Sequence, residues 1–425
     1  MSRIVQKFGG SSVADADSIK RVARRIADTK AAGNEVVIVI SAMGDTTDEL
    51  LDLAHRVSPN PTPRELDMLL TTGERQSAAL LAMALSDLGV PARSYTGSQA
   101  GVITTGQHGD ARIIDITPGR IMASLEQGNV VIVAGFQGVA QDTKDITTLG
   151  RGASDTTAVA LAAAMRADYC EIYTDVDGVF TADPRIEPKA RQIPVIGYED
   201  MLELAASGAK VLHLRCVEYA RAENVKIHVR SSFSYQPGTW VVDQSEINAK
   251  GSAMEQAIIS GIAHDTSEAK ITVVGVPDTI GMAARIFSVI AERQINVDMI
   301  VQNVSREGEG RTDISFTCSQ GERGKAVDAL NLAKDEIGFS AVMWNDAVGK
   351  VSVVGVGMRT HPGVTAKFFN ALAAAGVNID MISTSEIRIS VVVDIADVRA
   401  AVQAAHTAFG LDADTDAVVY AGTGR

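Results

Sequence analysis

Through residues 1–245, short apolar runs alternate with longer stretches whose apolar positions recur every three or four residues. The first run, Ile4 to Phe8, is broken by Gly9-Gly10-Ser11-Ser12. From Asp15 to about Ala32, the residues Ile19, Val22, Ala23 and Ile26 fall on one helical face, and Gly33-Asn34 ends the pattern. Glu35-Val36-Val37-Ile38-Val39-Ile40 is then almost uninterrupted, as in a strand covered on both faces. Strand, crossover helix and strand in this order predict a right-handed parallel unit. The alternation continues, with helices predicted over about 65–88, 117–127, 155–166 and 198–223, and strands at Val130–Phe136, Glu171–Thr174 and Val225–Val229. The predicted fold class is α/β, a mostly parallel sheet sandwiched by helices. The polar stretch Asp243–Gly251 reads as a linker.

Beyond it the pattern repeats. Lys270-Ile-Thr-Val-Val-Gly-Val276 returns as Lys350-Val-Ser-Val-Val-Gly-Val356, and Ile295-Asn-Val-Asp-Met-Ile300 returns as Val377-Asn-Ile-Asp-Met-Ile382. Gly281 and Phe287 have counterparts in Gly363 and Phe369. Each copy reads strand, glycine turn, helix, two strands, helix and a last strand. Two copies are too few for a solenoid, so they predict a side-by-side pair of small α+β domains.

Composition narrows the function. Aromatic residues make up 4% of the 425 positions, so the core is built of Ala, Val, Ile and Leu. Thirty-nine basic against 52 acidic residues give a net charge of −13, which disfavours nucleic acid and anionic membranes. An anionic substrate therefore needs a local cluster of donors. Cys170, Cys216 and Cys318 lie far apart in apolar runs, with no metal-ligand spacing and no disulfide framework. That usage fits a reducing cytoplasm, as does an N-terminus without a signal-peptide pattern. No residue is assigned as a dedicated metal ligand.

Four segments carry candidate chemistry. Lys7-Phe8-Gly9-Gly10-Ser11-Ser12 offers a point charge, two glycines and the N–H groups of a following helix, which suits a phosphate cradle or a plain tight turn. Leu149-Gly150-Arg151-Gly152-Ala153-Ser154-Asp155-Thr156-Thr157 places small residues before a helix capped by Ser154 or Asp155. Arg151 there either grips a carboxylate or is solvated. Thr71-Thr72-Gly73-Glu74-Arg75 and Ser41-Ala42-Met43-Gly44 form a third pair, the latter at a strand's C-terminal end, where open α/β sheets bind ligands. Tyr173-Thr174-Asp175-Val176-Asp177-Gly178 with Thr181-Ala182-Asp183-Pro184-Arg185 is a polar loop after another strand. Its acids hold a nucleotide and Mg²⁺, or only form turns. No P-loop and no protein-kinase motif set occurs.

Taken in order, KFGGSS, SAMG, LLTTGER, GFQG, LGRGASDTT, TDVDGVFTADPR and Ile382-Ser-Thr-Ser-Glu-Ile-Arg388 resemble the aspartate kinases over essentially the whole chain. The resemblance is to the actinobacterial form, with one catalytic domain and two ACT domains. It implies an amino-acid-kinase fold over 1–245, a linker and donated strand over 246–262, and ferredoxin-like ACT domains over 263–345 and 346–425. It implies phosphorylation of the aspartate side chain by ATP with Mg²⁺, the first step toward lysine, threonine and methionine. Alternatives are another amino-acid kinase, acting on glutamate or acetylglutamate, and a non-catalytic amino-acid sensor.

By position, the resemblance makes Lys7 the residue that stabilises the phosphoryl group in flight, with Gly9 and Gly10 cradling phosphate. Glu74, also catalytic, holds the substrate ammonium and Arg151 its α-carboxylate, with Ser41, Thr47, Ser154 and Asp155 nearby. Tyr173, Thr174, Asp175, Phe180, Arg185 and Lys210 line the ATP side. Ala153 stands where the family usually has Gly, which requires a negative φ there. Asp278, Asn296, Val297, Asp298, Gln302 and Ser305 line one effector site, and Thr365, Asn378, Ile379, Ser385 and Glu386 its counterpart. Lysine and threonine are the implied effectors. The implied assembly is a homo-oligomer or a complex with a shorter regulatory subunit made of the ACT domains, for which Met254 is a candidate internal start.

Overall fold

The computed structural model describes residues 2–150, 152–249, 258–303 and 310–421. An eight-stranded sheet runs through the first half in the order 195–197, 239–242, 227–231, 169–174, 3–8, 35–40, 130–134, 92–95. All its pairings are parallel except that between Ile227–Ser231 and Thr239–Val242. Val36 to Ile40 are fully buried, because helices cover both faces. A smaller four-stranded sheet, of Ile113–Ile116, Val102–Thr104, Gln137–Ala140 and Ile146–Thr148, lies outside the predicted pattern. Its strands are three or four residues long, too short to show a period.

Register decides where the motifs meet. Phe8 pairs with Ile40 and with Tyr173, and Ile40 pairs with Ala134. The turns after these four neighbouring strands therefore open at one edge of the sheet. The helix expected from Asp15 spans Ala16–Ala31, capped by the Asp15 side chain, and a 3-10 turn over Gly10–Val13 lies between it and Gly9. Two local expectations need correction. The helix after the Arg151 motif spans Ser154–Ala164 with Ala153 as its cap residue, which leaves the Ser154 and Asp155 side chains for other partners. The helix predicted over 198–223 is two helices, Tyr198–Ala206 and Leu214–Glu223. Gly208, at φ +107°, breaks it, and a Cβ there would lie 2.2 Å from the His264 carbonyl oxygen.

Both repeats form four-stranded antiparallel sheets. The first contains Glu268–Pro277, Ile300–Gln302, Arg311–Ser319 and Ala341–Asn345. The second contains Val348–Val354, Met381–Thr384 and Arg388–Asp394, and its fourth strand is Gly261–Asp265, from before the first repeat. The expected last strand is present in the first copy, as Ala341–Asn345, but not in the second. There the donated strand, placed by the resemblance within 246–262 and found at Gly261–Asp265, occupies that place, and the residues after helix Val398–Ala408 run elsewhere. Gly281 and Gly363 both stand at helix starts with φ near +100°, at 94° and 101°. The repeats are also tied reciprocally: Lys350 binds Asp298 at 2.7 Å, and its counterpart Lys270 binds Asp380 at 3.3 Å. Among the described residues, no helix is long and apolar enough to cross a membrane.

Candidate active site

The Gly9-Gly10 turn and the Ser41–Gly44 turn interlock. The Gly44 N–H donates to the Gly10 carbonyl at 3.1 Å and the Ser41 N–H to the Phe8 carbonyl at 3.1 Å. A Cβ on Gly10 would stand 2.9 Å from the Gly44 carbonyl oxygen, so only glycine fits without moving backbone. Lys7 projects from the strand end beneath this turn, its Nζ 2.6 Å from Asp155 Oδ1, with both side chains mostly buried. Asp155 thus holds the lysine ammonium at the sheet edge instead of capping its helix. Ser154 lies against Gly135 of the GFQG turn, where a Cβ would approach Ser154 Oγ to 2.8 Å.

Glu74 sits in the middle of helix Pro63–Asp87. Gly73 before it lets that helix approach the Ser41–Gly44 turn, since a Cβ there would lie 2.8 Å from the Ala42 Cβ. The Ala42 N–H consequently reaches Glu74 Oε1 at 3.3 Å. Glu74 Oε2 is buried and has no hydrogen-bond partner among the described residues. Burial pushes the carboxyl up to about 7, and its bonds to the Glu74 and Ala42 backbone and the Arg75 charge only partly oppose this. A buried carboxylate with a free oxygen is suited to receive a cation. Ser41 and Thr47 are half-buried on the same turn and on the first turn of helix Thr46–Val57.

A cleft of about 370 Å³ opens beside Gly10 and Gly44. Thr174, Asp175, Phe180, Arg185 and Lys210, the residues that the resemblance assigns to the ATP side, all line it. Arg185 is held by Asp175 at 2.6 Å and Asp183 at 3.4 Å. Tyr173 is a correction: its ring stacks on Phe8 at 4.5 Å and its hydroxyl donates to Glu171, so the side chain is core. Strand alternation explains this, because consecutive residues face opposite sides. Residues not foreseen also line the cleft, among them Asp45, Asp48, Leu204 and His264. Nothing in their local sequence marks them, since they come from three separate elements, Asp45 and Asp48 from the start of helix Thr46–Val57 and the others from a later helix and the strand Gly261–Asp265. Ala153 has φ −77°, which a residue with a Cβ adopts readily. Gly152 does not have that freedom, because at φ +74° a Cβ would meet the His213 ring at 2.8 Å.

Arg151 and Ser305 lie outside the described residues, as does Met254. In the repeats, Asp278, Asn296, Asp298, Gln302, Asn378, Ser385 and Glu386 are exposed on turns and strand ends and Thr365 in the first turn of helix Val364–Ala374, while Val297 and Ile379 pack against the two cores. Asp298 is engaged by Lys350 and lies 4.0 Å from Arg388, which also reaches Glu203 of the first domain at 3.4 Å.

The profile of the amino acid kinase family matches residues 2–231, and that of the ACT domain matches 271–333 and 351–409. The aspartokinase of Mycolicibacterium smegmatis is 63% identical over 425 residues, and that of Corynebacterium glutamicum 56%, each covering all of both chains. Among solved structures, E. coli aspartokinase III in complex with aspartate and ADP, in its R-state, is 25% identical with a TM-score of 0.79, over 95% of this chain and 99% of that one. The same enzyme in complex with lysine and aspartate, in its T-state, gives 0.69 at 25% identity over 95% and 98%. The interlocked glycine turns, the buried Glu74 and the paired repeats are thus features of a chain that belongs to the aspartokinases of the amino acid kinase family.

Proposed function

We propose that this site transfers the γ-phosphoryl group of ATP to the side-chain carboxylate of L-aspartate, giving ADP and 4-phospho-L-aspartate. The observation that carries the reading is the buried, unpartnered Oε2 of Glu74, which fits the substrate ammonium beside the edge where Lys7 projects. Arg151, between two glycines of the same motif, supplies the fork for the α-carboxylate. The cleft at Thr174, Asp175, Phe180, Arg185 and Lys210 receives the nucleotide. One carboxylate oxygen attacks the γ-phosphorus, the bond to the β–γ bridging oxygen breaks, and ADP leaves with that electron pair. The attacking carboxylate is already anionic, so no general base is required, and alignment and charge neutralisation are the remaining tasks. Lys7 neutralises the moving phosphoryl oxygens. Asp45 and Asp48 line the cleft and would supply oxygen ligands to Mg²⁺, and Asp175 and Asp183 are engaged by Arg185. The ion, when bound, neutralises phosphate charge.

The paired repeats serve as the amino-acid-sensing part. Asp278 and Asp298 suit a lysine ammonium, and Thr365 and Asn378 a neutral side chain such as that of threonine. The division of the chain into 1–245, 246–262, 263–345 and 346–425 is part of this reading, as is assembly with further copies or with a shorter subunit of the repeats. The test is a coupled ADP-release assay with aspartate, glutamate and acetylglutamate, each with and without lysine plus threonine. Turnover with aspartate alone, suppressed by the effectors, is expected. Turnover only with glutamate or acetylglutamate, or none with any, would replace the reading.

A further inference from the structure

The loop that walls the nucleotide cleft is bound along its length to the second repeat and the chain that follows it. Helix Val398–Ala408 supplies Arg399, which donates to the carbonyls of Arg185 at 3.2 Å and Ile186 at 3.1 Å. One turn on, Gln403 donates to the Ile186 carbonyl at 3.0 Å. His406, fully buried, spans Thr181 Oγ1 and Asp412 Oδ1, each at 2.8 Å. Ala182 and Ala190 of the loop belong to the same apolar core as Phe368 and Val402 of the repeat.

The segment after the helix continues along the loop, its place in the sheet having been taken by the donated strand Gly261–Asp265. Ala413 and Ala417 donate from their backbones to Lys189 and Pro188, each at 2.8 Å. Val419 forms a bridge with Val176, and the Tyr420 N–H donates to the Asp175 carbonyl at 2.9 Å. The Tyr420 hydroxyl donates to Asp177 Oδ2 at 3.1 Å, and its ring stacks on Phe233 at 5.9 Å. Asp175 and Arg185, which pair across the cleft wall, are thus each held from behind by the repeat.

We propose that the second repeat is a working part of the nucleotide site, with Arg399 and Tyr420 as positioning residues that keep the loop Asp175–Arg191 in its ATP-receiving shape. The proposal rests on the reading of the cleft as the nucleotide site. A loop already ordered by these bonds loses little freedom when ATP binds, so removing them weakens ATP binding without touching the aspartate side. It also means that any shift of the second repeat reaches ATP affinity directly, through bonded atoms.

The test measures KM for ATP and for aspartate in the full chain without effectors, for wild type, Arg399→Ala, Tyr420→Ala and the double variant. Thermal unfolding checks that each folds. Each single change is expected to raise the ATP KM about 3- to 10-fold, as for one or two hydrogen bonds, and the double variant further, with the aspartate KM within about twofold. Arg399→Lys and Tyr420→Phe, which keep a donor or the stacked ring, should recover part of the loss. Arg185→Ala is the control for the cleft itself. An unchanged ATP KM in the double variant, with a raised one in Arg185→Ala, overturns the positioning role and leaves the cleft reading intact. Equal rises in both KM values overturn it as well, because they signal general loosening. An unchanged ATP KM in Arg185→Ala overturns the cleft reading, and the proposal falls with it.

Discussion

Replacing Glu74 by Gln separates what this carboxylate does for the substrate from what it does to the fold. Burial raises its pKa from the ordinary 4.5 to about 7. Below about pH 4.5 the group is protonated whether the chain is folded or not. As pH rises toward 7 the unfolded chain gives up its proton first, so the folded state loses stability until both forms have ionised. The difference of 7 − 4.5, at about 1.4 kcal/mol per pH unit, comes to about 3 kcal/mol. Between about pH 5.5 and 8.5, roughly 2 kcal/mol of this is lost. The amide of Glu74→Gln never ionises and so escapes that loss. Its buried NH₂ has no acceptor where Oε2 stood, a cost of about 1–3 kcal/mol that does not vary with pH. The variant should therefore gain about 2 kcal/mol on wild type between the two pH values, whatever its starting point. Urea unfolding without substrates, read from Trp240 in a Trp344→Phe background, follows the large sheet that carries the site. In the same variant kcat/KM for aspartate should fall about 100-fold or more if Glu74 holds the substrate ammonium, as proposed. A stability gap that stays the same at both pH values would refute the argument that burial holds the carboxyl near 7.

If Lys7 acts mainly on the phosphoryl group in transit, as proposed, Lys7→Ala should lower kcat about 100-fold or more with smaller changes in either KM, as measured by initial rates. Near-wild-type turnover in a folded protein would remove it from the mechanism. Lys350→Ala leaves Glu268 and Asp298 facing each other without their shared cation, and should destabilise the repeat pair by about 3–5 kcal/mol in calorimetry. Thr365→Ala should relieve effector inhibition while keeping basal turnover, at about 1–3 kcal/mol of lost differential binding. Inhibition curves with lysine and threonine, singly and together, check this, and unchanged curves would exclude Thr365 from the effector site.

The periodicities alone determined the parallel α/β half, the two α+β units and the order of the motifs, because apolar spacing and glycine breaks are local properties. The glycine turns and Glu74 were legible for the same reason, each standing in a short motif at a strand end or on a predicted helix. What only the tertiary structure decided is where those motifs meet. Strand register places the turns after Phe8, Ile40, Ala134 and Thr174 at one edge, and no local spacing encodes which strands are neighbours. Asp155, read with Ser154 as a candidate helix cap, became the partner of Lys7 because the cap fell earlier, at Ala153. Tyr173, read as a nucleotide contact beside Thr174, turned into the core because adjacent strand residues face opposite ways. The strand Gly261–Asp265 was expected only through the resemblance, as a donated strand within 246–262, and not from periodicity. It completes the sheet of the second repeat across the whole length of the first, and frees the chain beyond Ala408 to bind the loop Asp175–Arg191. Such a long-range exchange leaves no periodic trace, since both candidate strands satisfy the same hydrogen-bonding edge and only three-dimensional closure selects between them.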